Sequence, residues 1–511
     1  MIPADHAPDR PAITMARSGE RRTYGELDAA ANRVSRLLRG AGLAPGDHAA
    51  FCVENAPAFL EIAWGAHYAG LLYTAISTSL KVDEVAYIVG DCEARVLFLS
   101  ARYADKAAAL KAATPGVERY IAVGGPIDGY EEYAALVAAE APQPLEEARI
   151  GGRDMLYSSG TTGRPKGIRP AQPALPLGET PIVVTPILRD MFGIGRQDVY
   201  LSPAPLYHSA PLRFSMAVHQ LGGEVVVMES WDEAECLDLI GRHGVTAAQF
   251  VPTMFVRMLR LPEAVRRAAD TRTLRLVIHA AAPCPVEVKQ QMLDWWGPVI
   301  HEYYSATEAA GLTWVTPEDW AARPGTVGRA LIGVPHVVDE AGAEVAPGVD
   351  GAVFFSDGPP FAYHNDPERT RQSTDAHGWQ TFGDIGHLDA DGFLYLTDRA
   401  SYMIISGGVN VYPQEAEDVL QSHPAVMDAA VFGVPDAEMG EAVKAVVEPV
   451  AMPADEAAAA ALEQELIQHC RSSLAHLKCP RSIDFRAQLP RTPTGKLLKR
   501  LLKQEYANPP R

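Results

Sequence analysis

The sequence predicts an α/β protein: a large multi-layer N-terminal domain of β-sheets and helices, followed by a small mobile α+β C-terminal domain. Three observations carry this. Short apolar runs alternate with amphipathic stretches between Tyr24 and His279. The texture of the chain changes near residue 400. The length of 511 residues exceeds a single core, since a domain takes roughly 100–200 residues.

The elements follow in order. From Tyr24 to Gly40, residues Leu27, Ala30, Ala31, Val34, Leu37 and Leu38 recur at helical spacing, and Gly40 and Gly42 supply a stop. His48 to Val53 is short and apolar, as in a buried strand, and Ala58 to Tyr68 is again helical. Arg95 to Leu99 contains Val-Leu-Phe-Leu, a strand composition. Val225 to Met228 reads as a strand, Leu237 to His243 as a helix and Leu274 to His279 as a strand. Continuous apolar strands between helices fit sheets buried on both faces. The polar, turn-rich Leu388-Asp389-Ala390-Asp391-Gly392 precedes the expected boundary. Residues 1–398 form the large unit and 399–511 the small one, with a hinge near Ser401 rather than a long linker. Ala425 to Val434 and Glu441 to Val450 then read as strands with tight turns. Pro453 to Leu474 reads as an Ala- and Glu-rich helix, and Lys496, Lys499, Arg500 and Lys503 as a basic tail.

Composition narrows the function. The net charge of −19 excludes a broad nucleic-acid-binding face, which needs clustered Lys and Arg. It leaves room for an anion held locally by backbone amides and a few cations. Cys52, Cys92, Cys236, Cys284, Cys470 and Cys479 contain no Cys-x-x-Cys pair and no disulfide framework. Met1 to His6 lacks the basic and apolar regions of a signal peptide. No apolar run reaches the roughly 18 residues of a membrane span. The expected home is the cytoplasm.

The most informative run is Tyr157-Ser158-Ser159-Gly160-Thr161-Thr162-Gly163-Arg164-Pro165-Lys166-Gly167. The apolar Met155-Leu156-Tyr157 ends a strand. Glycines then let the backbone turn its amides inward, hydroxyls add donors, and Lys166 adds a cation for phosphate oxygens. The order is not that of the common nucleotide loop, which needs Gly-x-x-x-x-Gly-Lys-Ser/Thr.

This run resembles the phosphate loop of the adenylate-forming superfamily, which includes acyl-CoA synthetases, luciferases and amino-acid adenylation domains. The resemblance continues in order along the chain. Thr23-Tyr24-Gly25-Glu26-Leu27 resembles an early helix start, and Pro205-Leu206-Tyr207-His208 the segment beside the acyl pocket. Ala280-Ala281-Ala282-Pro283 resembles the adenine-side loop, and Tyr304-Ser305-Ala306-Thr307-Glu308 the Tyr-Gly-x-Thr-Glu motif. Gly383-Asp384 and Asp398-Arg399 resemble the ribose-binding pair, and Pro493-Thr494-Gly495-Lys496 the mobile lysine motif.

The resemblance implies an ATP-dependent acid–CoA ligase. A carboxylate attacks the α-phosphate to give acyl-AMP and pyrophosphate; a thiol, usually that of coenzyme A, then displaces AMP. ATP, Mg²⁺ and coenzyme A are the implied cofactor and co-substrates, and a small carboxylic acid the partner, with the protein a monomer or homodimer. The implied catalytic residues are Lys496, Glu308, Thr307 and His208, with Glu308 also holding Mg²⁺. The implied nucleotide and CoA contacts are Ser158, Ser159, Gly160, Thr161, Thr162, Gly163 and Lys166; then Ala281, Ala282, Pro283, Tyr304 and Ser305; then Asp384, Arg399, Gly407 and Gly408. The residue types fit these roles. Asp384 offers two acceptor oxygens to ribose hydroxyls, and Glu308 is a hard oxygen ligand. Gly407 and Gly408 leave room for a narrow pantetheine chain.

The sequence also departs from the pattern. Ser401 stands where relatives often have Asp or Lys, Ser305 where they often have Gly, and Phe382 where they often have Thr. Arg169-Pro170 replaces the commoner continuation of the phosphate loop. With Met403-Ile404-Ile405-Ser406-Gly407-Gly408, the pattern is similar to bacterial fatty-acid and bile-acid-type acyl-CoA ligases. No acid follows Pro205-Leu206, where an amino-acid pocket would hold one for the ammonium group. The expected substrate is a fatty, aryl-propenoic or steroid side-chain acid, among which apolar burial at about 25 cal/mol per Å² does not choose. The alternatives are an adenylate-forming enzyme with another acceptor, a luciferase-like oxidative step, or a non-catalytic nucleotide- or acyl-binding homologue.

Overall fold

A computed structural model describes residues 1–3, 7–147, 149–158, 165–170, 175–399, 402–406, 409–436, 439–491 and 497–507. The chain divides into two compact units, and the expected α/β class holds in both. The first comprises Met1–Phe250, Arg257–His279 and Pro359–Arg371; the second comprises Val251–Val256, Ala280–Gly358 and Gln372–Arg511.

The first unit is built on parallel sheets. His48–Cys52 lies between Leu72–Ala75 and Val96–Ser100, all parallel. Arg119–Val123 and Glu131–Glu132 extend one edge, and Arg153–Asp154 the other. Every residue of His48–Cys52 and Val96–Ser100 is buried, which accounts for the uninterrupted apolar runs. A second sheet places Leu276–His279, Ala247–Phe250, Val199–Ser202, Glu224–Val227 and Pro11–Met15 side by side in parallel. Arg21–Thr23 closes that edge antiparallel. A small antiparallel sheet joins Tyr157–Ser158, Lys166–Pro170 and Phe361–Tyr363.

The expected helix at Tyr24–Gly40 is present. Thr23 and Glu26 form a reciprocal capping box at its start. It packs on the helix Pro57–Tyr68 at Gly65, where a Cβ would come within 2.4 Å of Val34 Cγ1. Only glycine permits that approach.

The second unit is mainly antiparallel. Ile300–Tyr304, Leu312–Val315, Thr326–Ile332, Leu394–Arg399, Gln380–Leu388, Gly351–Ser356 and Val334–Val338 follow one another across one sheet. A five-stranded sheet contains Val409–Val411, Ile404–Ser406, Gly440–Pro449 and Val426–Asp436, with Ser482–Phe485 parallel to Gly440–Pro449. Val426–Asp436 and Gly440–Pro449 form one long hairpin, so the expected strands with tight turns are two continuous strands. Its inner face packs Val431, Val443 and Val447 against Leu420 and Leu466.

The expected basic tail is corrected beyond residue 498. Lys499–Ala507 is a helix. Leu502 is fully buried in a cluster with Phe432, Val446 and Leu489. Lys499 is 6% exposed and sits 2.7 Å from Glu417. An amphipathic face with spaced leucines, not a solvated charge run, explains the segment.

Candidate active site

Three strands of one sheet in the second unit assemble a polar cluster, two of them neighbours and the third separated from them by Thr326–Ile332 and Leu312–Val315. Ile300–Tyr304 ends in Tyr304, Gln380–Leu388 carries Asp384, and Leu394–Arg399 ends in Arg399. Asp384 and Arg399 face each other as register partners. The Tyr304 phenol donates to Asp384 Oδ2 at 2.6 Å, and Arg399 Nε lies 3.2 Å from Asp384 Oδ1. Asp384 is 6% exposed. A carboxylate offers about four lone-pair positions, so these two contacts orient Asp384 and leave acceptor capacity for two hydroxyls.

Burial first, then the charge of Asp384 and the hydrogen bond to it, push the Tyr304 phenol well above its ordinary range. Tyr304 therefore stays a donor. Burial alone would lower the Arg399 guanidinium, but Asp384, Tyr402, Tyr304 and Glu308 outweigh it and raise it. Glu308 thus belongs electrostatically to the same cluster. Phe382 packs beside Tyr304 and Phe355, with ring centroids 5.9 Å and 5.5 Å away. The departure at this position supports the Tyr304 ring. Thr381 fixes the preceding backbone, accepting from the Gly383 amide at 2.9 Å and donating to the Val353 carbonyl at 2.7 Å.

Two tight backbone segments of the same unit carry further candidates. Ser305 Oγ donates to the Gly311 carbonyl at 2.7 Å. The Ala309 amide donates to the Ala306 carbonyl at 3.1 Å, so Thr307 and Glu308 sit at the tip of a turn. Ala309 has φ 56°, and Ala281 in the other segment has φ 76°. Left-handed alanines cost about 1–3 kcal/mol each and concentrate at functional sites. Ala281 and Pro283 are exposed and Ala282 is half-buried, just ahead of the helix Val286–Trp296. Tyr303 stacks on Trp314 at 6.1 Å, so packing uses that ring, while Tyr304 is taken by Asp384.

The first unit holds the remaining described candidates. Lys166 pairs with Ser158, and Gly167 with Tyr157, in the small antiparallel sheet. A Cβ on Gly167 would meet the Tyr157 ring at 2.9 Å. Tyr157 donates to Asp91 Oδ2 at 2.5 Å. Lys166 Nζ lies 5.9 Å from the centre of the Tyr363 ring. His208 is half-buried immediately before the helix Ser209–Leu221, its ring 4.6 Å from that of Tyr207. Asn55 is a residue that sequence reasoning misses. Its Oδ1 accepts from the Leu206 amide at 2.8 Å, and its Nδ2 donates to the Ala204 and Met228 carbonyls. It fixes the turn that leads to His208. Its one sequence signal is an amide side chain just ahead of the helix at Pro57.

Ser159, Gly160, Thr161, Thr162, Gly163, Ser401, Gly407, Gly408 and Lys496 lie outside the described residues. No group of three or more His, Cys, Asp or Glu among the described residues could hold a metal by itself. No helix among the described residues is long and apolar enough to cross a membrane.

Comparison with known proteins identifies relatives over nearly the whole chain. The AMP-binding enzyme family model matches residues 3–359, and that of the AMP-binding enzyme C-terminal domain matches residues 415–496. The chain is 32% identical to the long-chain-fatty-acid–CoA ligase FadD13 of Mycobacterium tuberculosis, over 95% of this chain and 93% of that protein. It is also 32% identical to a feruloyl-CoA synthase of an Amycolatopsis species, over 97% and 96%. The ATP-bound crystal structure of MatB from Rhodopseudomonas palustris superimposes with a TM-score of 0.82 at 27% identity, covering 98% of this chain and 96% of that one.

Proposed function

Because this chain belongs to the AMP-binding enzyme family, we propose that it joins a hydrophobic carboxylic acid, of the fatty, aryl-propenoic or steroid side-chain kind, to coenzyme A. The reaction class is ATP-dependent acid–CoA ligation through an acyl-adenylate. The observation that carries the site assignment is the Tyr304–Asp384–Arg399 cluster with Glu308 in its field.

In the first step an acid oxygen bonds to the α-phosphorus and the bond to pyrophosphate breaks. In the second, the CoA sulfur bonds to the acyl carbon and the bond to AMP breaks. Asp384, oriented by Tyr304 and Arg399, accepts from the ribose hydroxyls. The adenine-side segment Ala281-Ala282-Pro283 and the Tyr304-Ser305 backbone line the base. Ser158 to Gly163 and Lys166 hold the departing phosphates, and Thr307 donates to a phosphate oxygen. Lys496 supplies the cation at the α-phosphate, where charge gathers in the transition state. Glu308 would hold Mg²⁺, which would supply positive charge to the phosphates. His208 stands at the acyl side, and Gly407 and Gly408 flank the pantetheine path. The division at residues 398 and 399, with a hinge near Ser401, belongs to the same reading. It is supported by the separate family models for residues 3–359 and 415–496. The six unbridged thiols support a cytoplasmic location.

The test is a panel of fatty, cinnamic, benzoic and steroid acids with ATP, Mg²⁺ and CoA. Pyrophosphate and AMP release should require both ATP and an apolar acid, and thioester should form only with CoA present. ADP as product, or turnover confined to amino acids, would defeat the reading.

A further inference from the structure

An ion pair stands in the interior of the second unit, formed by two residues that have no role in the reaction described above. Lys289 has no solvent exposure and Glu302 is 6% exposed; Lys289 Nζ donates to Glu302 Oε2 at 2.6 Å. The ammonium also lies 4.9 Å from the centre of the Trp320 ring, itself 1% exposed. Replacing such a pair by apolar side chains of similar volume is often neutral or stabilising. Its contribution to bare stability is therefore a weak reason for its presence.

Its location supplies a better one. Lys289 is in the first turn of the helix Val286–Trp296, its amide bonded to the Pro285 carbonyl at 3.1 Å. Two residues separate that helix from Ala281-Ala282-Pro283, where Ala281 is held at φ 76°. Glu302 lies two residues before Tyr304 on the strand Ile300–Tyr304, and Tyr304 is bonded to Asp384. The pair thus ties together the two segments between which the nucleotide base is assigned. Apolar contacts slide against each other, whereas a charged hydrogen bond fixes both distance and direction.

We infer that Lys289 and Glu302 are positioning residues for ATP, setting the spacing between the adenine-side segment and the Tyr304 strand without touching the nucleotide. The inference rests on the nucleotide assignment made above. It explains why the ionic pair sits under these two segments. Trp320 closes one side of the ammonium and keeps the pair dry, so the contact holds its length.

The deciding variant is the double substitution Lys289→Met with Glu302→Gln, which removes both charges at similar volume and avoids a lone buried ion. Its melting temperature should stay close to that of the wild type. Its dissociation constant for ATP, measured by direct binding to the full chain, should rise about tenfold, a 1.4 kcal/mol change. KM for the acid and for CoA should stay within about twofold of wild type, a shift under 0.5 kcal/mol. Wild-type ATP affinity in a folded double variant would overturn the inference and leave the pair a packing feature. Equal rises in the ATP, acid and CoA constants would also overturn it. A wild-type protein that binds ATP but releases no pyrophosphate with any acid would instead defeat the functional reading, and the ratio of ATP affinities would still decide the role of the pair.

Discussion

Asp384 is the residue on which the nucleotide assignment is most easily tested. One of its oxygens receives the Tyr304 phenol and the other faces Arg399. Hydrogen bonds to a charged acceptor contribute about 1.5–3 kcal/mol each. Asp384→Ala should therefore lower kcat/KM for ATP by about 10- to 100-fold or more, with KM for the acid little changed. Tyr304→Phe should raise KM for ATP only a few-fold, since Arg399 still orients the carboxylate. Steady-state kinetics with one varied substrate at a time checks both, and a selective loss in the acid constant would contradict the assignment. In the sequence, Asp384 is visible only as part of an ordered series of motifs, because a Gly-Asp pair alone reads as a turn. The Tyr304 contact is not visible there, since it joins residues 80 positions apart. Phe382, a departure from the motif in sequence, packs against the Tyr304 ring. Asn55 and the Lys289–Glu302 pair escape sequence reasoning for the same reason: each acts through partners outside its own local motif.

Local elements are legible where a short-range pattern governs them. The helix Tyr24–Gly40 combines a capping box with a regular apolar stripe, both contained within its own stretch of chain. The hairpin Val426–Asp436 with Gly440–Pro449 is less legible, because strand length depends on the partner's register. The helix Lys499–Ala507 reads as a charged tail, because the partners that bury Lys499 lie elsewhere. Those partners make a pH prediction. Glu417 is 3% exposed; Lys499 lies 2.7 Å from its Oε1, which also accepts from the Val431 amide at 2.6 Å. Burial outweighs Lys499 and pushes the Glu417 carboxyl from 4.5 up to about 7. A carboxyl raised on folding binds its proton more tightly in the native state, so its contribution to stability is complete below 4.5 and is lost as pH rises through about 7. Glu417→Gln does not titrate. It should gain on the wild type between about pH 5 and pH 8, by an amount on the order of 3 kcal/mol at most. Denaturant unfolding of both proteins across that range measures the gap. A gap independent of pH, or one moving the other way, would contradict the buried carboxyl.

At the scale of the whole molecule, two successive bond exchanges must be served by one acyl group, and the chain matches its family in two separate parts. The order of motifs makes this legible from sequence, since short signals spread over most of the chain fit one reaction sequence. The identity of the acid is not legible, because apolar lining stabilises many acids to a similar degree. The division of labour does yield a sharp prediction. A cation aimed at the α-phosphate acts most on the step in which bonds at phosphorus form and break, which is adenylation; in the second step the thiol attacks the acyl carbon and AMP leaves with its bonds at phosphorus intact. Lys496→Ala should therefore slow acyl-adenylate formation by about 10²- to 10³-fold, the effect of deleting one preorganised donor. The same variant, given synthetic acyl-adenylate and CoA, should form thioester within about threefold of the wild-type rate, because that step exchanges bonds at the acyl carbon and not at phosphorus. Rapid-quench measurement of the two half-reactions separates them. Equal losses in both would place Lys496 in a general structural role, and an unaffected adenylation would move the catalytic cation to Lys166, which is already fixed in the small antiparallel sheet.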